Sequence, residues 1–173
     1  MKNIFKLMGI ALLGCSMLVA CGNDEEAGYT LTWNGTEVTD LGYDAGTAFQ
    51  TWHIFEASKS FNSTDNTVEF PYYVIYFTGD KKSNITVDTL YCEAYEKTSY
   101  NLDGTTYGDW QTEDVKSLKV EKFDASAHTM TATLDLVMYS LTAVVENPDI
   151  ADAAIPTATF GLKLTDYEFK AAK

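Results

Sequence analysis

The chain has 173 residues, with 25 acidic and 12 basic side chains, and its formal net charge at pH 7 is −13. It contains no arginine, the side chain that grips phosphate groups best with two parallel hydrogen bonds. Because neutralisation of phosphates by basic side chains dominates the affinity for nucleic acids, we expect no nucleic-acid partner.

The first twenty residues have the composition of a secretory signal. Lys2 and Lys6 make a basic start, and the segment 7–20 is uncharged and mostly apolar. This order, followed by small residues before a cleavage point, is typical of signal peptides. The apolar segment is shorter than the ~20 residues that a membrane-spanning helix needs, so we expect residues 1–20 to be removed on export.

The apolar segment ends in Leu18, Val19, Ala20 and Cys21. This motif resembles the lipobox of bacterial lipoproteins, which implies that the signal is cut before Cys21 and that Cys21 carries acyl chains. Two or more such chains anchor a protein stably, since each buried methylene contributes ~0.8 kcal/mol. Cys15 is a competing position, but cleavage there would leave a short apolar region and an apolar mature start. An ordinary secretory signal with an unmodified Cys21 is the other alternative.

An acidic segment made of Asp24, Glu25 and Glu26 follows the lipobox. It resembles the export signal that sends some lipoproteins of Gram-negative bacteria to the extracellular face of the outer membrane. The resemblance implies surface display on a lipid anchor, and the alternative is a solvated acidic tether. We therefore divide the chain into a signal peptide (1–20), a lipidated tether (21–28) and a single domain (29–173).

The domain is rich in Thr, Val, Tyr and Phe, which favour strands. The segment Tyr29–Trp33 alternates polar and apolar residues and runs into Asn34-Gly35, the strongest short-range signal for a hairpin. Pro71 lies inside an apolar segment and indicates a bulge or a sheet edge. The remaining predicted strands cover 36–39, 49–57, 68–78, 85–100, 115–123, 129–142 and 158–169, and 148–154 is a predicted loop.

Seven or eight strands in a chain of this length predict an all-β, antiparallel β-sandwich. A small calycin-like β-barrel is the alternative. The closing segments 119–124, 129–136 and 159–169 resemble the last strands of small β-sandwich lipoproteins of unknown function. This resemblance covers about the last third of the chain and implies a sandwich without implying an activity.

Motifs of nucleophilic or zinc-dependent catalysis are absent from the sequence. His53 and His128 lie far apart in sequence, and we expect each to be structural or solvated rather than a zinc ligand. Cys92 is the one cysteine of the domain, and it shares a side of a predicted strand with Leu90 and Ala94, which indicates core packing. We predict no catalytic residue and expect a non-enzymatic protein. A hydrolytic enzyme that uses two carboxylates is the alternative.

Oxygen-bearing side chains occur close together at Asn101, Asp103 and Asp109. Calcium prefers several oxygen ligands from such loops, so these residues are candidate ligands for Ca²⁺. Ordinary turn chemistry is the alternative. We expect no other cofactor.

Aromatic residues are the strongest indication of a ligand. Trp110 lies with Tyr107 and Asp109 in a segment, 106–111, with the composition of a polar loop. Two predicted strands also carry many tyrosines: Tyr72, Tyr73, Tyr76, Tyr91, Tyr95 and Tyr100. Flat rings beside Asp, Asn and Gln suit the apolar faces and the hydroxyls of sugars, although an aromatic-rich core gives the same pattern. The sequence therefore predicts a binding or accessory module for a glycan or an envelope protein. A hydrolase, or a carrier of a small apolar ligand if the fold is a barrel, is the alternative.

Overall fold

The computed structural model describes residues 27–173 except 63, 65–66 and 102–103, and the side chains of 67, 96–101 and 104–107 are likewise not described. The predicted signal peptide, the lipobox with Cys21 and the acidic residues of the tether therefore lie outside the described residues. The described residues belong to the predicted domain and to the last two positions of the tether.

Strands make up most of the described chain: β1 (Gly28–Trp33), β2 (Thr36–Glu37), β3 (Tyr43–Asp44), β4 (Thr47–Phe49), β5 (Trp52–Asn62), β6 (Thr67–Thr78), β7 (Thr86–Val87), β8 (Glu93–Asn101), β9 (Gly104–Asp124), β10 (Thr129–Ser140), β11 (Thr157–Glu168) and β12 (Lys170–Ala171). One α-helix, α1, spans Leu141–Glu146, and 3-10 turns cover Lys82–Asn84, Thr89–Tyr91 and Asp152–Ala154. The all-β prediction is confirmed. The predicted number of strands is wrong, because two-residue strands such as β3 and β7 are too short to show a sequence pattern.

All twelve of these strands belong to one sheet, in the order β12-β4-β5-β6-β8-β9-β10-β11-β1-β2, while β3 pairs with β5 and β7 with β6. The sheet is mixed, since β12 runs parallel to β4 and the other described pairs are antiparallel. Its hydrogen bonds, over the described residues, do not close it into a barrel. The barrel alternative is therefore wrong.

The sheet curls, so that strands far apart in its order pack against each other. Tyr29 on β1 contacts Phe55 on β5 edge to face, with ring centroids 5.0 Å apart. The connection between β11 and β12 stabilises this curl. Strand β12 directly follows β11 in the chain but pairs with β4, near the opposite end of the strand order. The enclosed face forms the hydrophobic core.

Strand β10 confirms the alternation predicted from the sequence. Its inward residues are at most 2% exposed: Met130, Ala132, Leu134, Leu136 and Met138. Cys92 is also buried in the core, as predicted, but Leu90 is 78% exposed. The predicted strand 85–100 is broken, because Asp88 caps the 3-10 turn at Thr89–Tyr91 and turns Leu90 away from the core.

Two local predictions about turns and bulges are confirmed. Asn34 and Gly35 have positive φ angles of 50° and 76° and join β1 to β2, as the predicted hairpin requires. Near Pro71 the pairing of β5 with β6 shifts register, which confirms the predicted bulge. The predicted strand 129–142 ends at Ser140, whose hydroxyl accepts a hydrogen bond from the Ala143 N–H and begins α1.

None of the helices in the described residues is long and apolar enough to cross a membrane.

Candidate functional site

Strands β5 and β6 carry large apolar side chains on both faces. Their core-facing residues are His53, Phe55, Ala57, Tyr73, Ile75 and Phe77, all at most 1% exposed. Because side chains alternate along a strand, Trp52 and Ile54 on β5 and Tyr76 on β6 lie on the opposite face. Ile54 pairs directly with Tyr76. The outside of this part of the sheet is therefore lined with large apolar side chains.

A groove of about 280 Å³ lies on this outer face, lined by Phe49, Trp52, Ile54, Tyr76 and Tyr91. We call it the aromatic groove. Trp52 meets Tyr76 at 85° and Tyr91 at 80°, with ring centroids 6.2 Å and 5.9 Å apart. The rings of Tyr76 and Tyr91 are 5.4 Å apart. The groove thus presents ring faces of different orientation to one small volume.

Two local turns bring the outermost rings into the aromatic groove. The β4–β5 hairpin pairs Phe49 with Trp52 and has Gln50 at a φ of 50° in its turn. At the other side, the Asp88 carboxylate accepts a hydrogen bond from the Leu90 N–H, which begins the 3-10 turn that carries Tyr91. The Asp88 N–H donates to the Tyr76 carbonyl oxygen at 3.0 Å and so fixes this turn beside β6.

Both outer rings are strongly exposed. Phe49 is 47% exposed and Tyr91 49% exposed, and Leu90 beside Tyr91 is 78% exposed. Burying such side chains on folding would stabilise the domain, yet the fold leaves them in solvent next to one another. Because Phe49 and Tyr91 line one groove and stay exposed, the groove is a candidate interaction site.

Two carboxylates adjoin the aromatic groove. Glu56 on β5 and Glu93 on β8 pair with Val74 from its two sides, so they lie on the same face of three neighbouring strands. The Tyr72 hydroxyl hydrogen-bonds the Glu56 carboxylate, and the Tyr95 hydroxyl donates to Oε2 of Glu93. Burial raises the pKa of Glu56 above its usual range.

These two carboxylates are not compensated by the described cations. The ion pairs among the described side chains join Lys116 to Asp114, Lys119 to Glu121, and Lys122 to Asp166. All three lie on β9 and β11, away from Glu56 and Glu93. The pKa of Tyr76, a groove residue, is raised by burial, then by the charges of Glu93 and Glu56. The groove therefore lies in a negative field.

The predicted ligand site around Trp110 lies in a strand and not in a loop. The segment 106–111 is wrongly predicted as a loop, because it belongs to the long strand β9 and pairs with β8 and β10. Trp110 packs edge to face on Trp33, with ring centroids 5.2 Å apart, at the margin of the core. The Asp109 N–H donates to Oγ1 of Thr142, and the side chain of Tyr107 is outside the description.

Over the described residues, the structure does not bring the predicted calcium ligands Asn101, Asp103 and Asp109 together. Asp103 and the side chain of Asn101 lie outside the described residues, which leaves Asp109, whose pKa is raised by burial and by Glu93. Within the described ranges, no three His, Cys, Asp or Glu side chains converge. His53 and His128 are nearer than their sequence separation indicates, since the charge of His128 adds to burial in lowering the His53 pKa.

The sequence identified part of the aromatic groove. Tyr76 and Tyr91 line it, and Tyr72 and Tyr95 stack beside it with ring centroids 5.8 Å apart. Tyr73 is instead buried in the core, and the side chain of Tyr100 is not described. Further members of the site were not predicted: Phe49, Trp52, Ile54, Glu56 and Glu93. Apolar residues on both faces of β5 could have identified Trp52 and Ile54, whereas the places of Phe49, Glu56 and Glu93 depend on strand pairing.

In comparisons with protein-family models, with curated proteins and with solved structures, no match to this chain is found.

Proposed function

We propose that this protein is a lipid-anchored, non-enzymatic binding module of the bacterial cell envelope, and that its aromatic groove takes carbohydrate. The lipobox ending at Cys21 and the acidic residues behind it support anchoring at the extracellular face of the outer membrane. The described domain supports a sandwich-like fold, in which facing parts of one curled sheet enclose the core and leave the groove outside.

The contact of three rings in one groove carries this proposal. Trp52, Tyr76 and Tyr91 offer ring faces in different orientations within 6.2 Å of one another. Sugar rings have apolar C–H faces that pack on aromatic rings and hydroxyls that need hydrogen-bond partners. The volume of about 280 Å³ is just below the range of pockets for small organic ligands, ~300–1,000 Å³, which favours one sugar unit of a longer chain.

Hydrogen-bonding groups beside the groove match this ligand. Glu56 and Glu93 are acceptors on the same sheet face, and Tyr72 and Tyr95 hold their carboxylates in place. Apolar lining with a few oriented polar groups is the usual construction of a small-molecule site.

The test is binding of the full-length protein, in detergent, to a glycan array. We expect the wild type to bind at least one glycan, and Tyr91→Ala to weaken that binding about tenfold, which corresponds to ~1.4 kcal/mol. Val145→Ala is the control, since Val145 on α1 is 68% exposed and its truncation also removes exposed apolar surface. Absence of binding, or equal binding by Tyr91→Ala, would contradict the proposal.

A hydrolytic enzyme is the second candidate. Burial raises the pKa of Glu56, as a general acid requires, and Glu93 supplies a second carboxylate on the same face, as glycosidases need. We favour the binding module because the groove residues Phe49 and Tyr91 are about half exposed. New reducing ends produced from a bound glycan by the wild type, and not by Glu56→Gln, would favour the enzyme.

A further inference from the structure

The aromatic groove combines ring faces with nearby carboxylates that form no ion pair among the described side chains. A cation placed within about 6 Å of a ring centroid is attracted by the ring's quadrupole, and tryptophan attracts it most strongly. Trp52 stands nearly perpendicular to both Tyr76 and Tyr91, so a cation in this groove lies near more than one ring. A neutral ligand gains packing from the same rings but not this attraction.

The carboxylates Glu56 and Glu93 also favour a cation in the groove. Glu56 and Glu93 belong to none of the ion pairs among the described side chains. After burial, the charges of Glu93 and Glu56 are the next causes that raise the pKa of Tyr76 in the groove. Charges near a low-dielectric surface are screened less than charges in water, so an ammonium group in the groove interacts more strongly with nearby carboxylates than it would in bulk solvent. The formal net charge of −13 adds attraction at longer range.

We infer that the aromatic groove selects an ammonium group, so that among carbohydrates it prefers amino sugars whose amine is free over their acetylated, neutral or acidic counterparts. This inference rests on the proposed function, and it names the class of sugar. The amine lies over the rings of Trp52 and Tyr76, within reach of the Glu56 and Glu93 carboxylates. N-acetylation removes the positive charge and therefore the basis of the preference. A sugar acid places its carboxylate in the field of two others and is rejected.

The experiment compares two ligands that differ only in acetylation. Calorimetry with the full-length protein in detergent, at about pH 6 where an aliphatic amine is protonated, measures binding of a glucosamine tetramer and of its N-acetylated counterpart. We expect binding of the free amine to be at least about tenfold tighter. The preference should fall as salt is raised, because salt screens exposed charges.

The variant Glu56→Gln/Glu93→Gln removes both charges and keeps similar shapes and oxygen acceptors for the Tyr72 and Tyr95 hydroxyls. We expect this variant to bind the two tetramers about equally. Asp114→Asn is the control, because Asp114 is paired with Lys116 on the surface of β9, and it should keep the full preference. Binding of the acetylated tetramer at wild-type strength shows that the double variant is folded.

The outcomes separate this inference from the proposed function. Equal binding of both tetramers by the wild type overturns the preference for ammonium and leaves carbohydrate binding standing. An unchanged preference in Glu56→Gln/Glu93→Gln overturns the assigned role of the carboxylates. If neither tetramer binds and the glycan array is also empty, the proposed function itself is overturned.

Discussion

Trp33 on β1 and Trp110 on β9 meet edge to face, with ring centroids 5.2 Å apart, although β10 and β11 lie between their strands in the sheet. Trp33 also contacts Tyr73 and Phe160, which are buried in the core. The pair therefore packs against the core and joins two strands that are not hydrogen-bonded neighbours. Trp110, which the sequence presents as a candidate sugar contact, is held in place by packing.

We expect Trp110→Ala to destabilise the domain by about 2–3 kcal/mol. This loss is smaller than is usual for a fully buried aromatic residue, because the Trp110 side chain is only partly buried. Urea unfolding measures this loss. Trp110→Phe should recover most of it, since it keeps a ring on Trp33 and removes an indole N–H that is buried without a hydrogen-bond partner. Loss of glycan binding by folded Trp110→Phe would instead assign this ring to the ligand site.

Gly79 is a position where a side chain does not fit. Its φ is +138°, and an added Cβ would lie 2.6 Å from the carbonyl oxygen of Asn84. We expect Gly79→Ala to cost about 2–4 kcal/mol in thermal or urea unfolding, because backbone strain adds to the clash. Gly35→Ala is the matched control, since Gly35 has a φ of +76° with open space around it, and it should cost only about 1 kcal/mol. Equal losses would contradict the clash.

His53 should make folding stability depend on pH. The side chain is 1% exposed, and its Nε2 lies 3.3 Å from the carbonyl oxygen of Gly79. Burial lowers the pKa of His53 below the ordinary value of 6.5, as does the nearby charge of His128. Below about pH 6.5 the unfolded chain therefore binds more protons at this residue than the folded chain. The lowered pKa of His53 therefore costs no stability at higher pH. The loss of stability grows as the pH falls through 6.5 and levels off below the pKa of His53 in the folded protein.

The measurement is the midpoint of thermal unfolding at pH 7.5 and at pH 5.5, for the wild type and for His53→Gln. We expect the wild type to lose more stability on acidification than the variant. The comparison with the variant is needed because the raised pKa values of Glu56 and Asp109 act with the opposite sign at acidic pH. Equal losses in both proteins would contradict a role for His53.

The lipid anchor can be tested at Cys21. The resemblance to lipoproteins implies that the thiol of this residue is acylated. We expect mass spectrometry of the full chain from a Gram-negative host to show acyl chains at Cys21, and Cys21→Ala to lose them. Cys15→Ala is the matched control and should stay acylated. Acylation at Cys15 in the Cys21→Ala variant would overturn the assignment.

Local patterns in the sequence determined the features that depend on neighbours along the chain. The turn at Asn34-Gly35 follows from the positive φ that these residues tolerate, and the buried face of β10 follows from alternation between Met130 and Met138. Burial of Cys92 was also predicted, but the alternation with Leu90 on which that prediction rested is broken by the 3-10 turn at Thr89–Tyr91. A period of two residues identifies which side chains share a face of a strand.

Only the tertiary structure decided which strands are neighbours, and hence where the candidate site lies. Trp52 and Tyr91 meet because β5 pairs with β6 and a 3-10 turn folds Tyr91 over Tyr76. Trp110 became part of β9 because β8 and β10 hydrogen-bond to a segment with the composition of a loop. Alternation within a strand carries no information about pairing partners, since pairing satisfies backbone groups that every residue shares.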